Sequence, residues 1–172
     1  MGKRDLVAAL VALCAAAGTA QAAETARATM VDVQGRPLGA IELRQTPQGV
    51  LLSGRLAGLP PGPHAFHLHA VGKCEPPFAT AEGHFNPGGR KHGYFAAEGA
   101  HAGDLPNLHV AASGEVSFDL LAPGLNLAAG AANGLFDADG SAFIVHAGAD
   151  DYRSDPAGNA GGRIACGVVR GE

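Results

Sequence analysis

No run of apolar residues in this sequence is long enough to cross a membrane. The longest, residues 6–17, has 12 positions, against the ~20 that a spanning helix needs. There is no excess of positive charge either. Twelve basic residues stand against 16 acidic ones, and a net charge of −4 excludes a generally basic nucleic-acid binder. Tryptophan is absent and aromatic residues make up only 5%. Charged residues are scarce at 16% while apolar ones reach 47%, a balance that excludes a disordered chain and supports a packed core. The 26 glycines lack the G-X-Y period of a collagen. There is no internal repeat, no linker, and no capped stripe of 3.6-residue period. A chain of 172 residues without these features reads as one domain. What is abundant is histidine: eight residues, against three cysteines. That ratio points to a metal.

The first residues read as an export signal. Lys3 and Arg4 precede the apolar run, and Ala20-Gln21-Ala22 forms an A-x-A cleavage site, so that residues 1–22 are removed and Ala23 leads the mature chain. Leu13 before Cys14 does not suit a lipoprotein site, and no Arg-Arg pair precedes the run. Cleavage takes away Lys3, Arg4 and Asp5, leaving a domain of residues 23–172 with net charge −5 and two cysteines, Cys74 and Cys166. An exported protein with two cysteines most simply forms one disulfide.

The mature chain reads as β. Alternating apolar runs recur at 28–33, 39–44, 50–56, 64–69, 115–121, 142–146 and 163–169. Gln34-Gly35, Pro47-Gln48-Gly49, Pro60-Pro61-Gly62-Pro63, Ser113-Gly114 and Ala138-Asp139-Gly140 punctuate them. Short strands with such turns predict an all-β fold, an antiparallel sandwich or barrel. Residues 72–107 and 147–162 resist strand assignment. Loops of this length in a compact domain are usually functional.

His67 and His69 stand at i and i+2, so a strand puts both on one face and sends Phe66 and Leu68 to the other. Alone, such a pair reads equally as two structural or exposed histidines. His64 has the wrong parity and reads as structural. His84, His92, His101 and Asp104 lie in the first long loop, and three imidazoles with one carboxylate suit four-coordinate zinc. The bland alternative is a polar loop with scattered histidines. His146 ends the run Phe143-Ile144-Val145-His146 and alone says little. Two four-coordinate ions need eight ligand positions and these residues are seven. One histidine serving both ions through its two ring nitrogens would complete the sets, and His84 lies between the groups in sequence.

Six stretches carry a resemblance. They are His64-Ala65-Phe66-His67-Leu68-His69, Gly83-His84-Phe85-Asn86-Pro87, Lys91-His92-Gly93, His101-Ala102-Gly103-Asp104-Leu105, Val145-His146-Ala147-Gly148-Ala149-Asp150-Asp151, and Gly158-Asn159-Ala160-Gly161-Gly162-Arg163-Ile164-Ala165-Cys166-Gly167-Val168. Together they resemble the copper–zinc superoxide dismutases of the bacterial exported branch, over about residues 26–170. The resemblance implies a Greek-key β-barrel of about eight strands with two long functional loops. It implies copper on His67, His69, His84 and His146, and zinc on His84, His92, His101 and Asp104. Asp150 would join His67 to His92, and Cys74 and Cys166 would form the family disulfide. Arg163 would line the approach of the anion, and His84 would take part in catalysis as the bridge. The implied reaction converts two superoxide anions and two protons to oxygen and hydrogen peroxide by alternate reduction and reoxidation of copper. A copper storage or delivery protein on the same scaffold is the alternative. The implied partner is superoxide, with no nucleic acid and, after signal removal, no membrane. The implied location is the periplasm, and relatives occur as monomers and homodimers. The chain departs from the family in Ala70, where many relatives carry an acid, in a short stretch from His69 to Cys74, and in a longer one to His84 that contains Pro76-Pro77.

Overall fold

The computed structural model describes residues 25–172; the expected signal peptide lies outside the described residues. Eight strands follow in order: β1 (Thr25–Asp32), β2 (Pro37–Thr46), β3 (Gly49–Ala57), β4 (Gly62–His69), β5 (Asp104–Val110), β6 (Glu115–Ala122), β7 (Ala142–His146) and β8 (Arg163–Gly171). One 3-10 turn, Ala79–Ala81, is the only helix among the described residues. Every ladder is antiparallel, in the order β5-β4-β7-β8-β1-β2-β3-β6. The two end strands approach each other, so the sheet curls into a nearly closed barrel. Closure protects edges that would otherwise invite pairing with another chain.

Period-2 alternation builds the barrel core. Ala26, Ala28 and Met30 of β1, Ile41 and Leu43 of β2, and Val50 and Leu52 of β3 are fully buried, and Arg27, Thr29 and Glu42 between them reach outward. Phe66 stacks on Phe143 at 5.2 Å between ring centres and meets Phe118 at 5.4 Å. Each buried Leu, Val or Phe stabilises the fold by roughly 1.5–3 kcal/mol.

Two strands break the alternation. From His64 to His69 in β4, and throughout β7, every residue is buried. Their inward side chains, Phe66, Leu68, Phe143 and Val145, fill the barrel. Their outward side chains are covered by the two long loops. Under that cover Ala142 and Ile144 pack with Phe78, Ala81 and Cys166 as a second small core. The Cys74–Cys166 disulfide is formed beside it, with a Cα–Cα distance of 5.7 Å.

The sequence reading needs one correction. The eighth strand, β5, lies at 104–110, partly inside the segment expected to be loop. Pro106 and the three-residue step from Leu105 to Leu108 hide its alternation. The step coincides with a register shift against β4 between His64 and Phe66. β5 is an end strand of the sheet, where a proline is tolerated.

Candidate metal centre

Strand pairing brings three histidines together. β4 presents His67 and His69 on its outer face, and its neighbour β7 ends in His146. The chain after the 3-10 turn then lies along β4. Phe85 N–H donates to the Leu68 carbonyl at 2.8 Å, and Leu68 N–H donates to Gly103 at 2.9 Å. This places His84 over His67, with ring centres 4.0 Å apart.

His67, His69, His84 and His146 each offer one ring nitrogen, and the four lie within 4.8 Å of one another. Nδ1 of His67 and Nε2 of His69, His84 and His146 are buried and have no hydrogen-bond partner. Their opposite nitrogens are all engaged. His67 Nε2 meets Asp150 Oδ2 at 2.8 Å, and His69 Nδ1 donates to the Glu82 carbonyl at 2.7 Å. His146 Nδ1 faces the Gly161 carbonyl at 3.3 Å, and His84 Nδ1 meets Asp104 Oδ1 at 2.8 Å. Protons on the engaged side leave lone pairs pointing at one common centre. Burial, then the neighbouring His84, lowers His69 to about 2; burial likewise lowers His84 to about 4 and His146 to about 3. These rings are therefore neutral at neutral pH, as metal ligation requires. Four buried lone pairs with no donor among them fit a cation and nothing apolar.

A second group shares His84. Nδ1 of His84, His92 and His101 surround Asp104 Oδ1 at 2.8, 3.1 and 3.1 Å, and the Nδ1 atoms of His84 and His101 stand 3.3 Å apart. Ligands at ~2.0–2.1 Å from a tetrahedral zinc lie roughly 3.3 Å from each other, so the set fits that ion with slight expansion. The other Asp104 oxygen accepts the N–H groups of Gly93 at 2.9 Å and His101 at 3.0 Å, which aims Oδ1 inward. Burial alone would raise the Asp104 pKa, but hydrogen bonds from His101, His84 and His92 hold it far below the usual carboxylate range. Burial opposes a charge on His92, yet Asp104 and Asp150 outweigh it and push its pKa up to about 9.

Asp150 joins the groups. Its two oxygens reach His67 Nε2 at 2.8 Å and His92 Nε2 at 2.9 Å. Burial favours its protonation, but these two rings hold its pKa well below the ordinary value. Gly158 passes against it at φ +64°, and a Cβ there would stand 1.8 Å from Oδ1. Only glycine fits.

Arg163 begins β8 at the rim. Its Nη1 donates to the Phe78 carbonyl and its Nη2 to the Glu82 carbonyl, both at 2.5 Å. Arg163, His69, His84, His146, Pro156 and Ala157 line a cleft of about 320 Å³. A larger open depression of about 600 Å³ lies on the outer sheet face, far from the histidines. Within it Arg27 pairs with Glu42 and Ser53 with Asp119.

The structure thus brings together every residue singled out in the sequence. His64 is structural, as expected. It is buried, with its ring nitrogens 2.8 Å from the His146 and Pro60 carbonyls. The sequence reading missed Asn107, Tyr152 and Tyr94, which brace Asp150 and Asp104, because they lie within or beside the two loops. It also missed Glu82, whose carbonyl serves both His69 and Arg163. Main-chain acceptors leave no mark in side-chain identity.

Glu82 adopts φ 59°, ψ −144°, close to a region that essentially only glycine occupies. Such strain costs on the order of 1–3 kcal/mol, against ~0.5–1 kcal/mol lost to glycine's unfolded-state freedom. Glu82→Gly is therefore expected to stabilise the chain by about 1 kcal/mol and raise the melting temperature by roughly 2–4 °C. A lower melting temperature in calorimetry would show that the Glu82 conformation is not strained.

Comparison with known proteins agrees with this geometry. Residues 38–169 match the copper/zinc superoxide dismutase family. A copper–zinc superoxide dismutase of Aquifex aeolicus is 49% identical over 147 residues, covering 84% of this chain and 86% of that protein. The crystal structure of a superoxide dismutase-like protein from Bacillus subtilis superposes with a TM-score of 0.80 at 40% identity, over 83% of this chain and 96% of that one. The Cu/Zn superoxide dismutase from Brucella abortus gives 0.69 at 30% identity, over 86% and 100%. With the family match running through seven of the eight strands and both histidine groups, the chain belongs to the copper/zinc superoxide dismutase family.

Proposed function

We propose that this superoxide dismutase holds copper on His67, His69, His84 and His146, and zinc on His84, His92, His101 and Asp104. The observation that carries the assignment is the set of four orphaned, buried nitrogens, one of them on a ring whose other nitrogen faces Asp104. Four imidazole nitrogens suit copper, and three with a carboxylate suit zinc. Copper, when bound, supplies the one-electron steps that convert superoxide to oxygen and to hydrogen peroxide, and zinc supplies fixed positive charge without redox change.

The chain's own residues do the rest. Arg163 offers a planar pair of donors to a small anion at the cleft. Its two backbone anchors keep the guanidinium beside His69 and His146 rather than in solvent. Asp150 fixes the tautomers of His67 and His92 by accepting their Nε2 protons, as outer partners of metal ligands do. His84 turns Nδ1 to the Asp104 group and Nε2 to the group of His67, His69 and His146, so that one ring orients both sets.

Residues 1–22 act in this proposal as a signal peptide, and residues 23–172 as a single exported domain in the periplasm. The Cys74–Cys166 disulfide supports that compartment, since such bonds persist where the surroundings are oxidising. A copper store would need neither the second group nor Arg163.

Metal analysis tests the assignment. The purified wild-type protein is expected to hold one copper and one zinc per chain. His146→Ala should lose copper and keep zinc, and Asp104→Ala should lose zinc and keep copper. Equal loss of both metals in both variants would overturn the partition. N-terminal sequencing of the exported protein should begin at Ala23.

A further inference from the structure

Asp150 is braced by residues outside both ligand groups. Asn107, the fourth residue of β5, clamps its main chain. Asn107 Nδ2 donates to the Asp150 carbonyl at 3.0 Å, and the Asp150 N–H donates to Asn107 Oδ1 at 2.8 Å. The N–H of Asn107 itself donates to the Tyr152 hydroxyl at 2.7 Å. The N–H of Tyr152 returns to Asp150 Oδ1, also at 2.7 Å. Three residues, 107, 150 and 152, thus close a hydrogen-bonded circuit around one carboxylate.

Tyr152 reaches further. Its carbonyl accepts the Phe95 N–H at 3.1 Å. Gly93, at φ +98°, passes so near that a Cβ there would stand 2.2 Å from the same carbonyl oxygen. Its ring lies 5.4 Å from that of Tyr94, whose hydroxyl donates to the Asp104 carbonyl at 2.7 Å. One half-buried tyrosine therefore touches the segments that carry His92, Asp104 and Asp150. It does so at φ 59°, a left-handed conformation uncommon for a tyrosine, which the surrounding bonds must hold in place.

We propose that Tyr152 is a positioning residue of the metal centre: through Asn107 its hydroxyl fixes the reach of Asp150 to His67 and His92. The proposal rests on the zinc assignment above. Its physical basis is the narrow tolerance of Asp150, which must span two rings with centres 5.5 Å apart that meet nearly edge to face. Without the hydroxyl, the Asn107 N–H loses its acceptor and the clamp on Asp150 loses its register. The carboxylate then holds His92 less firmly, and zinc is the ion that suffers.

Tyr152→Phe, Asn107→Ala and the double variant are compared with wild type as holoproteins. Zinc retention against a chelator, the visible spectrum of cobalt(II) in place of zinc, and the melting temperature are measured. Tyr152→Phe keeps the ring and both main-chain bonds, yet it is expected to weaken zinc retention ~10-fold, the lower end of what outer partners of metal ligands contribute. The cobalt spectrum should shift in the same variant. The double variant should retain zinc no worse than Asn107→Ala alone, because both changes break one connection. Wild-type zinc retention and spectrum in Tyr152→Phe, or independent addition of the two effects, would overturn the proposal. A wild-type protein that takes up no zinc would overturn the ligand assignment beneath it.

Discussion

Loss of the Cys74–Cys166 bond is expected to lower the melting temperature by about 10–15 °C and to slow superoxide consumption several-fold without removing either metal. The two cysteines are 92 residues apart. Closing so long a loop is worth roughly 4–5 kcal/mol in the chain-entropy model, and a kcal/mol moves the midpoint of a chain this size by about 2–4 °C. The effect on activity has a separate cause. The bond fastens the segment that runs from Cys74 to Glu82 onto β8, and that segment supplies the carbonyls of Phe78 and Glu82 to Arg163. The Glu82 carbonyl also holds His69. Released from Cys166, the segment keeps the small apolar cluster of Phe78 and Ala81 with Ala142 and Ile144, and its carbonyl hydrogen bonds to Val71, His69 and Arg163, but no covalent anchor. The guanidinium then loses its fixed place at the rim. The test is a variant with Cys74→Ser, at the more exposed sulfur, and Cys166→Ala, at the fully buried one. Calorimetry and superoxide assays on the metal-loaded protein read the two effects. An unchanged melting temperature would refute the stabilising role, and an unchanged rate would refute the link to Arg163.

Side-chain pattern made most of this centre legible in the sequence, and main-chain geometry hid the remainder. The i, i+2 step of His67 and His69 gives their common face directly, because a strand leaves no other outcome. Counting donors against coordination positions calls for one shared ligand, and the place of His84 between the two groups in sequence singles it out. Asp150, by contrast, enters only through resemblance, since an acid in a polar loop has no periodicity to mark it. β5 is hidden because Pro106 and a register shift erase its alternation. With β5 unrecognised, Asn107 has no strand to project from, and its clamp on Asp150 cannot be foreseen. Tyr152 and Glu82 are hidden for a deeper reason. Both residues take left-handed backbone angles, the Glu82 role rests on its carbonyl, and the Tyr152 hydroxyl meets a main-chain N–H of β5, and none of these partners is marked by a sequence pattern. The strands thus follow from pattern, whereas the loops that complete the centre follow from tertiary contacts that only the folded chain displays.

Replacement of Arg163 is expected to produce a graded loss of rate with metal content unchanged. Superoxide is an anion, yet the chain carries a net charge of −4, and −5 once residues 1–22 are removed. Global charge opposes the encounter, so capture depends on a local positive field. A cleft with low-dielectric walls focuses such a field and raises association rates by ~10–10³. Arg163 is the only arginine or lysine lining the 320 Å³ cleft among the described residues. Burial lowers its pKa from the usual value, but an arginine stays charged in a protein. Lysine keeps the charge and lacks the planar fork that meets both the Phe78 and Glu82 carbonyls, so Arg163→Lys should lose roughly 2–3-fold through wandering of the ammonium. Arg163→Ala removes the field and should be slower by ~10-fold; Arg163→Glu reverses it and should approach ~100-fold. Salt provides the independent check. The Debye length falls from ~10 Å at 0.1 M to ~3 Å at 1 M, so the wild-type rate should drop as salt rises. The Arg163→Glu variant should respond weakly or in the opposite sense, because salt there screens a repulsion. Equal rates and equal salt dependence in all four metal-loaded proteins would show that the anion reaches the centre without help from Arg163, and that its two backbone bonds serve only to close the loop over His69.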